Sequence, residues 1–269
     1  MQDRAALVAR PWLGQPVVLA VGERCEARPL MESICNGQEA GAFSAQSEHM
    51  RYRLHGIEIR SENSAKPAED AAAPLLAWLR SRNPVRSALD YGCGKLRYAR
   101  YVAGMCTKLG IVDSRIQLDR SQRISGRLTT VRQYAHKTWP GVLVYDLESF
   151  WKGIPERYDF VLCANVLSAI PCPRVRAKSL RAVSAALSAT GELLVVNQHT
   201  NSYFGMVKSK ADTLRHLNGW ILQSRSGGAY YGILNKATVI ELLCRHGFAI
   251  IDAWIDGQSN YVLARRNER

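Results

Sequence analysis

Residues 87–99 read SALDYGCGKLRYA. A short apolar run ends at Asp90, a Gly92-x-Gly94 turn follows, and a helical pattern begins at Lys95. A strand, a glycine turn and a helix in that order open many parallel α/β sheets, and the turn then faces a ligand. Glycine there lets the backbone approach the ligand closely. The fold therefore hangs on whether the flanking sequence continues the alternation, and the ligand on what Asp90 is doing beside the turn.

The alternation continues. Residues 108–114 (KLGIVDS), 142–147 (VLVYDL), 158–167 (YDFVLCANVL) and 192–198 (ELLVVNQ) read as strands. Residues 95–104, 174–191 and 236–247 carry helical periodicity, the last two ending at Gly191 and Gly247. Two final strands, 248–255 and 260–266, are joined by a hairpin-like DGQS loop. The expected fold class is α/β, a Rossmann-like doubly wound sheet, mostly parallel, with an antiparallel C-terminal hairpin. Upstream, residues 50–60 show partial strand alternation, 61–70 are a polar connector, and 71–82 place Leu75, Leu76 and Leu79 at helical spacing before Asn83-Pro84 stops the helix. Residues 1–49 have no sustained period beyond a short apolar run at 17–21 and are expected to be a poorly structured extension. The domain is expected to span 50–269, its motif core about 87–265, with an irregular stretch at 200–234 as a candidate substrate lid.

Composition sets outer bounds. With 47% hydrophobic and 22% charged residues in 269, the chain reads as a water-soluble globular protein. No apolar run approaches the roughly 18 residues of a membrane span. Asp3, Arg4, Arg10 and Pro11 break the apolar centre a signal peptide would need, so the expected location is cytoplasmic. Seven cysteines without a CxxC pair predict neither a disulfide framework nor a structural zinc site, and no metal is expected. The net charge of +13 points to anionic partners such as nucleic acid or phosphorylated metabolites. A solvated basic surface explains it equally well.

The turn excludes two ligands. A dinucleotide fingerprint needs a third glycine where Arg97 stands, and no GxxxxGK[ST] phosphate loop occurs. Asp90, two residues before Gly92, would repel a pyrophosphate and suits a ligand with positive charge. The stretch resembles motif I of the class I S-adenosylmethionine-dependent methyltransferases, D/E-x-G-x-G. The resemblance extends over about residues 87–265, because Asp113 ends the next strand 19 residues after Gly94 and Asp146 ends the one after that. It implies S-adenosyl-L-methionine as cofactor. It also implies contacts from Asp90, Tyr91, Gly92, Cys93 and Gly94 at the turn, from Asp113 and Ser114 at the ribose, and from Asp146 and Leu147 at the adenine. Ala164 and Asn165, after the fourth strand, would lie beside the methionine part. The sequence departs from the family pattern at Leu96, where many members have a third glycine.

The acceptor is less legible. Methyl transfer from a sulfonium needs alignment and exclusion of water more than a fixed catalytic group. The [DNS]-P-P-[YFW] motif of amino-methylating DNA enzymes is replaced by ANVL, and Pro171-Cys172 lies too far along the connection to serve as a cytosine nucleophile. His199, in the polar run after the fifth strand, is the candidate base; a solvated turn is the competing account. Trp220 and the GGAYYG stretch at 227–232 offer aromatic surface for a lid. From Lys95 to Lys137 only Asp113 and Asp119 oppose a run of basic residues, which would track a phosphate backbone if they shared a face. The expected activity is methyl transfer to an undetermined anionic acceptor, either a small metabolite or nucleic acid. The rival is a non-catalytic binding or scaffold protein with the same fold.

Overall fold

The computed structural model describes residues 50–198, 205, 209, 213–224 and 227–267. The expected extension at 1–49 and His199 lie outside the described residues.

Alternation along the central strands explains the layering. In strand β3 (Val85–Tyr91), Leu89 and Tyr91 point to one face of the sheet, and Ala88 to the other. The same split recurs in β8 (Tyr158–Ala164), with Val161 and Cys163 opposite Phe160 and Leu162. Strands buried on both faces need cover on both. One face is packed by Phe150 of α5 (Leu147–Lys152), Leu180 and Val183 of α6 (Pro173–Ala186), and Val239 and Leu243 of α7 (Lys236–Arg245). The other is packed by Leu75 and Leu79 of α1 (Ala73–Ser81), Val102 of α2 (Ala99–Ala103), and Val131 and Ala135 of α4 (Val131–Thr138).

The sheet is completed by β4 (Cys106–Asp113), β7 (Leu143–Asp146), β9 (Leu187–Gln198), β13 (Phe248–Asp256) and β14 (Ser259–Arg266), in the order β13-β14-β9-β8-β3-β4-β7. The pairs from β9 to β7 are parallel, and β14 runs antiparallel to both β9 and β13. The expected doubly wound sheet with its terminal hairpin is therefore the observed one. The chain leaves β3 toward β4 and β7, then returns to β8 on the other side of β3. Such a reversal opens a crevice at the carboxyl ends of the two strands.

Three expectations need correcting. The helix expected over 95–104 is confined to Ala99–Ala103. The helix expected to end at Gly191 stops at Ala186, because Leu187 is already extended and pairs with Tyr158. Gly191 is instead a strand residue beside a register shift, and a Cβ there would sit 2.6 Å from the Tyr158 carbonyl oxygen. Its role is close backbone approach, not helix termination. Within the stretch expected to be irregular lie β10 (Thr213–His216), β11 (Gly219–Ser224) and β12 (Gly227–Gly232). These join β1 (Arg51–Leu54) and β2 (Ile57–Arg60) in a second sheet, ordered β1-β2-β12-β11-β10. Tyr52, Ile59, Ile221 and Tyr230 carry that sheet's core into the face covered by α6. Between α3 (Arg115–Asp119) and α4, the basic segment folds a small hairpin of β5 (Gln122–Ile124) and β6 (Arg127–Thr129). No helix among the described residues is long and apolar enough to cross a membrane.

The approach at Gly191 is testable. Gly191→Ala should destabilise the fold by about 1–3 kcal/mol, since the methyl must displace backbone. Urea unfolding of the two proteins reads this directly; equal midpoints would put Gly191 back in the role of a helix stop.

Candidate functional site

The crevice at the switch point is built from two facing turns. After β3 the chain reverses at Gly92 (φ 77°) and Gly94 (φ 55°), with the amides of Gly92 and Cys93 both donating to the Val112 carbonyl. After β8 it reverses at Asn165 (φ 59°), whose amide donates to Val196 O at 2.7 Å and whose Oδ1 accepts from Gln198 N at 3.0 Å. A Cβ on Gly92 would overlap the Val166 side chain, so glycine there is required by the contact between the turns as well as by its φ. Leu96, at the departure from the family pattern, holds the left-handed conformation (φ 63°) that a glycine would adopt freely. Its side chain is buried in the same core that holds Tyr98, Val102 and Leu118. The backbone costs about 1–2 kcal/mol, and burying a leucine returns about 1.5–3 kcal/mol, so the turn keeps its shape without the third glycine.

Asp113 ties β4 to this turn. Its Oδ2 accepts from Gly94 N and its Oδ1 from Ser114 N, both at 2.7 Å. Ser114 in turn caps α3, its side chain accepting from Gln117 N. Gln117 donates to the Gly94 carbonyl at 2.7 Å, closing a ring of hydrogen bonds around the turn. Burial pushes the Asp113 carboxyl up to about 6, against the opposing pull of the two amides and of Arg120. Asp90 is more exposed to the same effect. It is buried beneath the turn, its Oδ2 meets no hydrogen-bond partner, and burial, with the Asp113 charge second, pushes it up to about 7.

The crevice is partly enclosed and opens to solvent at its mouth. Asp90, Tyr91, Gly92, Cys93, Gly94, Asp113, Ser114, Leu147, Ala164 and Asn165 all line it. Asp146 does not: it is the N-cap of α5, accepting from Ser149 N at 2.9 Å. The strand-end acid thus serves the helix it precedes. The opposite wall joins a segment that sequence reading passed over, 61–66, to the aromatic 227–232 stretch expected as part of a lid. Ser61, Glu62, Ser64, Ala65 and Lys66 follow β2, and Tyr230, Tyr231 and Gly232 end β12. The polar connector has no period to mark it, and it reaches the site only because β2 pairs with β12. Gln117, Arg97 and Tyr98 complete the lining.

The lining leans toward acceptors, with Arg97 Nε a buried donor that also lacks a partner. Asp90 Oδ2, Glu62 Oε2 and Gln117 Oε1 are buried acceptors with no partner, and Ser64 Oγ is unpartnered as well. Buried polar atoms are ordinarily satisfied, and the surplus of unpartnered acceptors suits a ligand rich in donors, such as an ammonium or hydroxyl groups. No group of three or more His, Cys, Asp or Glu among the described residues is placed to hold a metal ion.

No family model matches the chain. The uncharacterized protein YmfD of Escherichia coli K12 is 37% identical over 213 residues, 79% of this chain and 95% of that protein. Among solved structures, 1,6-didemethyltoxoflavin-N1-methyltransferase of Burkholderia thailandensis, solved with 1,6-didemethyltoxoflavin and S-adenosylhomocysteine, superposes with a TM-score of 0.53 at 16% identity, over 74% of this chain and 80% of that one. An S-adenosylmethionine-dependent methyltransferase of Clostridium acetobutylicum gives 0.52 at 12%, over 77% and 94%. The CcbJ methyltransferase of Streptomyces caelestis gives 0.51 at 14%, over 77% and 95%.

The Asp90 environment predicts a stability signature. The folded chain holds an extra proton on Asp90 between the ordinary carboxylate range and about 7, so without ligand its stability falls as pH rises through that window. Asp90→Asn should therefore melt a few degrees above the wild type at pH 8, the gap narrowing toward pH 5. Identical melting curves at pH 8 would mean that Asp90 is not a buried, unpaired acid.

Proposed function

We propose that this chain, which belongs to the same family as YmfD and has the fold of the class I S-adenosylmethionine-dependent methyltransferases, transfers a methyl group from S-adenosyl-L-methionine to an acceptor of small-molecule size. The observation that carries this reading is Asp90: a buried carboxylate oxygen without a partner, beneath a two-glycine turn, in a crevice where unpartnered acceptors outnumber the one unpartnered donor, Arg97 Nε. That donor-seeking set fits the ammonium and the sugar hydroxyls of the cofactor. When bound, the cofactor supplies an electrophilic methyl group on a sulfonium.

The chain's own residues do the rest. Asp90 holds positive charge beneath the turn, and Asp113 takes sugar hydroxyls on the lone pairs its two amide bonds leave free. The Gly92 and Gly94 backbone leaves room for the ligand. Leu147 supplies apolar contact for a base, and Ala164 and Asn165 bound the site on the β8 side. The wall from Ser61–Lys66 and Tyr230–Gly232 excludes water and narrows the opening, which favours a small acceptor over a polynucleotide. Lys66 and Arg97 in the lining would meet an anionic group on that acceptor, as the charge of the chain suggests. His199 follows Gln198, a lining residue, and is the proposed base for an acceptor that must lose a proton.

Calorimetry with S-adenosylhomocysteine should give saturable binding near one ligand per chain, and Asp113→Ala should weaken it by about 1.5–3 kcal/mol. Absence of binding at millimolar ligand would favour a scaffold protein with this fold. Filter binding of RNA and DNA across a salt series should be weak without a steep slope; tight, strongly salt-dependent binding would restore a polynucleotide acceptor.

A further inference from the structure

The carboxylate on the wall opposite the glycine turn is not accounted for by the reading above. Glu62 follows β2, and its side chain is about 3% exposed. Oε1 accepts from Arg51 Nε at 3.0 Å and Nη2 at 2.6 Å. Oε2 is buried with no partner, and Glu62 lines the crevice. Arg51 fixes one oxygen and leaves the other without a partner at the crevice wall. The segment itself is held in place: Arg120, just after α3, donates to the Glu62 carbonyl at 2.8 Å. Ala65 lies 3.4 Å from where a Gly94 Cβ would be. The stretch carrying Glu62 therefore lies over the amide that binds Asp113 Oδ2, and the Glu62 charge is close enough to push the Asp113 carboxyl upward.

We propose that Glu62 is a second sugar-gripping carboxylate, its free Oε2 accepting a hydrogen bond from a hydroxyl of the nucleoside that Asp113 also holds. The inference rests on the methyl-donor reading and extends it to the small sheet. Through the Arg51–Glu62 pair, β1 and β2 close on the sugar, so ligand binding and the order of the small sheet are linked. An acid that served only to anchor Arg51 could point its second oxygen to water; this one is buried without a partner at the wall of the crevice.

The test uses the full chain and two ligands, S-adenosylhomocysteine and 5′-methylthioadenosine, which share the nucleoside but not the amino-acid part. Glu62→Gln keeps an oxygen for Arg51 and removes the charged acceptor. It should weaken both ligands by about tenfold or more, by similar factors. Unchanged affinity for both would overturn the assignment, as would a loss confined to S-adenosylhomocysteine, which would put Glu62 at the ammonium. Failure of the wild type to bind either ligand is a different result and removes the methyl-donor reading itself. If Glu62→Gln does not fold, a crystal structure of the wild-type complex decides. Glu62 Oε2 within about 3.5 Å of a sugar oxygen supports the proposal, and a longer separation overturns it.

Discussion

Two neighbouring carboxylates, Asp90 buried and Asp113 partly so, with no lysine or arginine hydrogen-bonded to either, set the terms for everything around them. Asp113 is tolerated because two backbone amides face it and because it fixes the shape of the turn in return. Asp90 has no such compensation at Oδ2. Taking an ionised carboxylate out of water costs several kcal/mol unless partners replace the solvent, and the chain meets that cost with a core packed on both faces of a seven-stranded sheet. A fold selected for stability alone would place a leucine or an asparagine there. The unmet valence at Asp90 suits a ligand with donors, which is what the proposed function asks of it.

The parts of this arrangement that were legible in the sequence are local ones. Asp90, Gly92 and Gly94 sit within five residues, and the steric demands of the turn write themselves into residue type. Asp113 was legible because a parallel strand–helix–strand unit has a narrow range of lengths, so the next strand end falls at a predictable distance. Asp146 shows the limit of that argument. The same position rule brings an acid to the end of β7, but α5 starts immediately and its free amides take the carboxylate first. Gly191 misled for a related reason: a glycine after an amphipathic run looks like a helix stop whether it supplies a positive φ or merely space.

What stayed hidden is non-local. The second sheet joins residues 51–60 to 213–232, and β12 meets β2 through Gly228 opposite Ile59. No period within either stretch reveals the other. Gly228 is there because a Cβ would sit 2.7 Å from the Ile59 side chain, a requirement that exists only after the pairing is known. The wall it creates gives the crevice Glu62, Ser64 and the two tyrosines, and so decides how much of a ligand is enclosed. The fold and the turn side of the crevice were therefore readable from short motifs, whereas the opposite wall depends on long-range contacts that leave no short signature.

The central claim is that Asp90 is an unpaired acid waiting for a cation, and carboxyl-carbon NMR of the aspartates, assigned by Asp90→Asn, reads that claim at the atom concerned. In the ligand-free protein the Asp90 carboxyl should titrate near 7. With S-adenosylhomocysteine bound, its midpoint should fall by at least about one pH unit, because the ligand's ammonium favours the charged form. A midpoint near 4 in the free protein, or one that does not move when the ligand saturates the site, would contradict the account.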